Sequence, residues 1–479
     1  MAATQKTTPF SLEKKDVELV KPSKPTPSDL LSFSTQDNDI NLQTLTPTIF
    51  VYQKRIINSS ENGHDHHDLT PNFDARQDPA LLIKKALSDV LVYYYPLAGR
   101  LRRNSQGKLE LTCNANGVPL LVATATCHLS SLRYLEGIDF QIASQFIFDS
   151  PPLDDDGEYP LVLQVTKFSC GGFAIGFCMS HSVCDGSGAA QFFRAMAELS
   201  KGKMEPTVKP IWERERLLGK ITDNPLELFV NKTPLATSPY LPTSDILHEC
   251  FYVSGESIKR LKDSLVKESE VGDQDHGRTS FTTIEVLGAF IWRARFRALN
   301  LNKDGKTCFF LTTGIRKLLN PPLPEGYYGN AFASTLVELI GSDLNEEPLS
   351  KTVKLIKKSK QDVLIEGYFE KVIDTMETWI SVQNTKAEAS GATMVLTDWR
   401  NLELLEDLGF GWKAVNIVPM PWDMFGFVDL CFLLPPPTLD PSTKGGVRVL
   451  VSLPRPAMAK FRQEMDALHK IEAMVSCSR

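Results

Sequence analysis

His181 is the residue whose type and setting could most directly do chemistry. It stands in the run His181-Ser182-Val183-Cys184-Asp185-Gly186, directly after the apolar stretch from Phe173 to Met179. An imidazole titrating at about 6.5 can take a proton from a hydroxyl at neutral pH, so a histidine held at a strand end could serve as a general base. The residues alone leave a packed structural histidine open as well. Asp185 also has two readings, an acid that orients His181 or a side chain that holds the turn. Residues four apart share a face only on a helix, whereas Gly186 and Gly188 indicate a turn. That favours the architectural reading, with a buried arginine as partner.

The flanking sequence supplies elements to position this turn. Tyr159 to Phe168 reads as a strand, Cys170-Gly171-Gly172 as a turn, and Phe173 to Met179 as the partner strand that delivers His181. Beyond Gly188, the residues Ala189, Phe192, Phe193 and Met196 recur at helical spacing. Further upstream, Ile49 to Tyr52 reads as a short strand. Asp78 caps a helix with Pro79 at its first position, and Leu82, Ala86 and Val90 lie on its buried face until Pro96 stops it.

Pro206, Pro210, Pro225, Pro234, Pro239 and Pro242 crowd a stretch without periodicity. It reads as a crossover at 211–245 between an N-terminal domain, 1–210, and a C-terminal domain, 246–479. The second half then predicts a helix from Thr283 to Ala298, a strand from Cys308 to Thr313, a charged helix from Pro348 to Tyr368, and strands at Thr393–Leu396 and Val447–Leu453. The expectation is an α/β fold in both domains.

With 479 residues the chain exceeds what one core usually serves, which agrees with two domains. Lys and Arg number 52 against 58 Asp and Glu, so no broad positive field offers itself to nucleic acid or to an anionic membrane. Any phosphate must be met by local groups. The first residues lack the apolar stretch of a signal peptide, and no apolar run of about 18 follows, so a cytoplasmic protein is expected. The nine cysteines stand singly without a CxxC pair and read as reduced thiols. His64, His66, His67 and Asp68 are metal-binding types, but they lie in a polar stretch with no distant ligand pair, so no metal is expected. GxSxG, Walker and Rossmann signatures are absent.

The HSVCDG run resembles the HxxxD motif of the plant BAHD acyltransferases. It is joined, in that family's order, by Tyr94-Tyr95-Pro96-Leu97-Ala98-Gly99-Arg100, by Thr282-Thr283-Ile284-Glu285-Val286, and by Asn320-Pro321-Pro322-Leu323-Pro324 running into Gly326-Tyr327-Tyr328-Gly329-Asn330. These matches span nearly the whole chain. The resemblance implies two similar-sized α/β domains, each like chloramphenicol acetyltransferase, with a channel between them and His181 at its middle. It further implies a monomer without a permanently bound cofactor, using acyl-CoA as co-substrate and a small-molecule alcohol as acceptor. In that reaction His181 takes the acceptor's proton, the oxygen attacks the thioester, and CoA thiolate leaves. Asp185 and Gly186 would be structural, with Arg316 as the partner of Asp185.

A second family signature, DFGWG, is irregular here. The chain runs Glu406-Asp407-Leu408-Gly409-Phe410-Gly411-Trp412-Lys413, and the usual aspartate is missing from its place in either alignment. Asp407 is a possible substitute, though a solvated turn acid is the preferred reading. The resemblance puts Ser280, Thr282, Thr283, Gly411 and Trp412 along the CoA path, with Lys413 as a local cation. Its nearest branch contains benzyl alcohol benzoyltransferases, methanol anthraniloyltransferases and taxane acyltransferases. That implies an ester of specialised metabolism made from benzoyl- or small acyl-CoA. An amide-forming transferase of the same fold and a silent acyl-CoA binder are the alternatives.

Overall fold

The computed structural model describes residues 10–55, 78–137, 139–148, 157–223, 225–226, 233–270, 280–382, 390–409, 411–420 and 429–476. The His64, His66, His67 and Asp68 cluster lies outside them. The chain divides into two compact units. One comprises 1–217, 324–330 and 402–420, and the other comprises 218–323, 331–401 and 421–479. Both mix helices with a sheet.

The first unit is built on a seven-stranded sheet. At its centre the strands Leu161–Phe168 and Phe173–Ser180 pair antiparallel, and Leu45–Lys54 follows on the other side of Phe173–Ser180. Every residue of Phe173–Ser180 is buried, as the unbroken apolar run requires. The helices Pro79–Val90 and Gly186–Ser200 belong to this unit. Asp78 caps the first of them through the Ala80 N–H at 2.9 Å, with Pro79 at its first position. That helix ends at Val90, before Pro96, which instead opens a short 3₁₀ turn at Tyr95–Ala98. The second helix drives Phe193 against Phe50 and Phe177, with ring centroids 3.9 and 4.7 Å apart. Full burial of each such ring contributes about 1.5–3 kcal/mol.

The structure differs from the contiguous division of the sequence in one respect that bears on the site. Strand Trp412–Pro419, expected in the C-terminal domain, pairs antiparallel with Leu45–Lys54 and completes the first unit's sheet. The physical reason is that Leu45–Lys54 is buried along its middle and would otherwise leave a row of backbone donors and acceptors unpaired. Sequence periodicity within a strand does not report which sheet receives it.

The second unit holds a six-stranded mixed sheet in the order Ile246–Val253, Val447–Pro454, Asp429–Leu434, Thr393–Asp398, Lys306–Gly314, Phe332–Ile340. The helix Thr283–Ala298 is closed at its start by a capping box, in which Glu285 accepts from the Thr282 N–H at 2.8 Å. Trp292 of this helix is buried and donates to Thr307 Oγ1 at 2.9 Å, and Arg295 forms a buried ion pair with Asp429. The charged helix expected from Pro348 to Tyr368 ends earlier, at Asp362, and a separate helix, Tyr368–Val382, follows it. Gly367, at φ +77, stands immediately before the second, a backbone conformation that breaks the helical run.

Candidate active site

Strand Phe173–Ser180 ends one residue before His181, and two backbone carbonyls from the segment preceding Leu45 catch the turn that follows. The His181 N–H donates to Thr44 O at 3.1 Å, and the Ser182 hydroxyl donates to Leu42 O at 3.3 Å. Asp185 then caps the helix Gly186–Ser200, accepting from the Gly188 N–H at 3.0 Å. Gly186 and Gly188 therefore form the helix's first turn. A Cβ on Gly188 would come within 2.0 Å of the Tyr328 carbonyl oxygen, so glycine is what lets Tyr327-Tyr328-Gly329-Asn330 lie against this helix start.

That close approach delivers Asn330 to the histidine. Its Nδ2 donates to the His181 carbonyl at 2.7 Å and to Asp37 Oδ1 at 2.8 Å. Asp37, fully buried, forms an ion pair with the equally buried Arg214 at 3.0 Å. Arg214 in turn donates to the Val183 carbonyl at 2.7 Å. Its guanidinium lies over Trp212 at 4.3 Å from the ring centroid and near Tyr327 and Tyr328 at 5.4 and 5.1 Å. The main chain of the histidine turn is thus gripped at residue 181 through Asn330 and at residue 183 through Arg214. A buried arginine stands at this turn: Arg214, whose carboxylate partner is Asp37. Arg316 lies in the second unit, just beyond strand Lys306–Gly314.

The electrostatics suit a base. Desolvation by the surrounding packing lowers the His181 pKa, outweighing its own backbone, Asp185, Asn330 and Asp37, all of which act to raise it. The ring is therefore neutral at neutral pH and able to accept a proton. For Arg214 burial opposes the charge, yet Asp37 and the two tyrosines prevail and the pKa is raised. In an NMR titration, the His181 ring signal, assigned by its loss in His181→Ala, is expected to move with a midpoint below 6.5. A midpoint above that value would contradict the desolvated site. The sign for stability follows: the unfolded chain binds this proton at higher pH than the folded one. Stability from this group therefore rises between the folded pKa and 6.5 and is level above it.

The irregular second signature also resolves. Asp407 is not a solvated turn acid, because its Oδ1 accepts from the Ala414 N–H at 2.8 Å and its Oδ2 pairs with Arg55. The ladder between Trp412–Pro419 and Leu45–Lys54 is irregular between Ala414 and Asn416, and Asp407 supplies the acceptor for Ala414 there. Trp412 is 3% exposed, packs edge-on against Phe173 and donates its indole N–H to Gly171 O at 3.1 Å. It is thereby packed into the sheet. Gly411 precedes it in the same loop, and its carbonyl accepts from the Arg55 N–H at 2.8 Å. Lys413 is exposed on the strand.

In the second unit, Ser280, Thr282 and Thr283 cluster at the start of helix Thr283–Ala298. Lys357 Nζ donates to the Ser280 carbonyl at 3.0 Å, and Lys360 pairs with Glu285 at 2.7 Å. Among the described residues, no group of histidine, cysteine or carboxylate side chains could hold a metal ion, and no helix is long and apolar enough to cross a membrane.

The profile of the Transferase family matches residues 10–468. The chain belongs to this family, the BAHD acyltransferases. This BAHD acyltransferase is 43% identical over 97% of its length to a spermidine coumaroyl-CoA acyltransferase of Arabidopsis thaliana, covering 97% of that protein. A spermidine sinapoyl-CoA acyltransferase of the same plant is 41% identical, with 96% of this chain and 98% of that one aligned. Benzyl alcohol O-benzoyltransferase of Nicotiana tabacum, from the branch named by the sequence motifs, is 28% identical over 97% of this chain and 95% of its own. Among solved structures, vinorine synthase superimposes with a TM-score of 0.69 at 20% identity, over 96% of this chain and 98% of that one, which shows the two-domain mixed α/β fold. The protein is an acyl-CoA-dependent acyltransferase.

Proposed function

We propose that this enzyme transfers a hydroxycinnamoyl-type acyl group from CoA to an amine of a polyamine such as spermidine, forming an amide with His181 as general base. The ester product implied by the branch resemblance gives way to the amide alternative because the full-length likeness to spermidine acyltransferases, at 43% and 41% identity, exceeds that to the benzyl alcohol enzyme. The observation that carries the chemistry is the half-buried His181 on a turn gripped through both its backbone groups, with its ring pKa lowered.

The attacking nitrogen bonds to the thioester carbonyl carbon, and His181 takes the proton that nitrogen must lose. Collapse breaks the carbon–sulfur bond, and the proton passes to the departing CoA sulfur. No acyl-enzyme forms in this scheme. Asp185 is architectural, closing the helix through Gly188. Ser280, Thr282 and Thr283 receive CoA, since a helix start flanked by Lys357 favours phosphate. Composition and family likeness support a cytosolic monomer.

Coumaroyl-, sinapoyl-, benzoyl- and acetyl-CoA are to be crossed with spermidine, a monoamine and benzyl alcohol, following thiol release and product mass. Amide formation on spermidine at a kcat/KM at least about tenfold above benzyl alcohol is the expected result, a difference of about 1.4 kcal/mol in barrier. Esters of benzyl alcohol formed in preference would return the reading to an O-acyltransferase.

A further inference from the structure

A polyamine acceptor poses a problem that an alcohol does not. One amine must be neutral to attack, while the others remain ammonium ions and need a counter-charge wherever they come to rest. The carboxylates on the segment bonded to the histidine turn are Asp37 and Asp39. Asp37 is already committed to Arg214 and Asn330. Asp39 is different. It caps the short 3₁₀ helix Ile40–Leu42, and its Oδ1 takes both the backbone N–H and the Nδ2 of Asn41 at 2.9 Å. Oδ2 has no protein partner among the described residues, and no described lysine or arginine pairs with this side chain.

The position of Asp39 ties it to the base. Leu42, at the end of the same 3₁₀ helix, accepts from Ser182, and Thr44, two residues on, accepts from the His181 N–H. Asp39 is half-buried, while its neighbour Ile40 is 72% exposed. A carboxylate removed from water without a counter-ion is unfavourable, and a bound cation relieves that cost. The apolar side chain beside it matches the other half of a polyamine, its methylene run. Burial raises the Asp39 pKa, against the hydrogen bonds from Asn41 that act to lower it.

We propose that Asp39 holds the non-reacting ammonium of a polyamine acceptor beside His181, with Ile40 against the adjoining methylenes, so that the remote charge orients the amine that attacks. This rests on the polyamine reading above. Binding of a non-reacting part of the substrate directs the reacting atoms, so the residue determines specificity and takes no part in proton transfer.

The test is Asp39→Asn, which keeps the volume, the hydrogen-bonding oxygen and a favoured helix-capping type, and removes only the charge. Wild type and variant are compared with spermidine and with a monoamine of similar length, using the same acyl-CoA. The expected result is a rise of about tenfold to a hundredfold in KM for spermidine, as for loss of a hydrogen bond to a charged group, with a smaller change in kcat. The ratio of spermidine to monoamine efficiency should fall by a similar factor. An equal loss on both acceptors would make Asp39 merely structural and overturn the proposal, and so would an unchanged spermidine KM. Asp39→Ser, which also caps, replaces the asparagine variant should that one melt early. Failure of the parent reading looks different: wild type then makes no spermidine amide while acylating the monoamine or an alcohol, and the proposal falls with it.

Discussion

Replacement of His181 by alanine is expected to lower kcat/KM by about 10²–10⁴, the usual cost of a lost general base, with the fold intact. The structure separates the two effects. His181 contributes to the architecture through its backbone, whose N–H bonds to Thr44 and whose carbonyl accepts from Asn330, and alanine keeps both groups. The melting temperature should therefore stay within a few degrees of wild type, while thiol release and product formation collapse together. Acyl-CoA binding, read by calorimetry, should persist, since the role proposed for the ring is on the acceptor's proton. A variant that turns over within threefold of wild type would remove His181 from the mechanism. A variant that melts far earlier would show that the ring itself holds the turn.

The histidine turn and its immediate frame were legible in the sequence because they are local. An apolar run of strand length, two glycines and a helical repeat lie within thirty residues of one another, and the hairpin and the helix Gly186–Ser200 follow from them. The elements that steady the turn are not local. Asp37 and Arg214 are separated by 177 residues, and Asn330 and Asp37 by 293. Asp37 sits in a polar stretch that reads as a loop, and Arg214 in the proline-rich segment taken for a crossover. A buried ion pair has no periodicity, so neither residue signals its burial. The one available hint was Asn330, at the end of the Gly-Tyr-Tyr-Gly-Asn motif. Asp407 shows the same limit: pattern matching registers that an aspartate is out of place, and only the register irregularity at Ala414 shows why a carboxylate is needed where it stands.

That non-local network makes the second large prediction. Asp37→Ala is expected to destabilise the protein by about 3–5 kcal/mol, because it leaves the Arg214 cation buried without its counter-charge. The same change removes the acceptor that orients Asn330, so activity should fall in the fraction that stays folded. Thermal unfolding distinguishes the charge effect from a simple cavity. In Asp37→Leu combined with Arg214→Met both charges are gone, and buried pairs replaced by apolar side chains are often close to neutral in stability. The double variant should therefore regain a substantial part of the lost melting temperature. It should not regain activity, since Asn330 and the Val183 carbonyl still lack the partners that hold the histidine turn. If the double variant melts as early as the single one, packing and not charge accounts for the loss. If it is both stable and fully active, the network contributes to folding alone and His181 is positioned by the strand and its Thr44 bond.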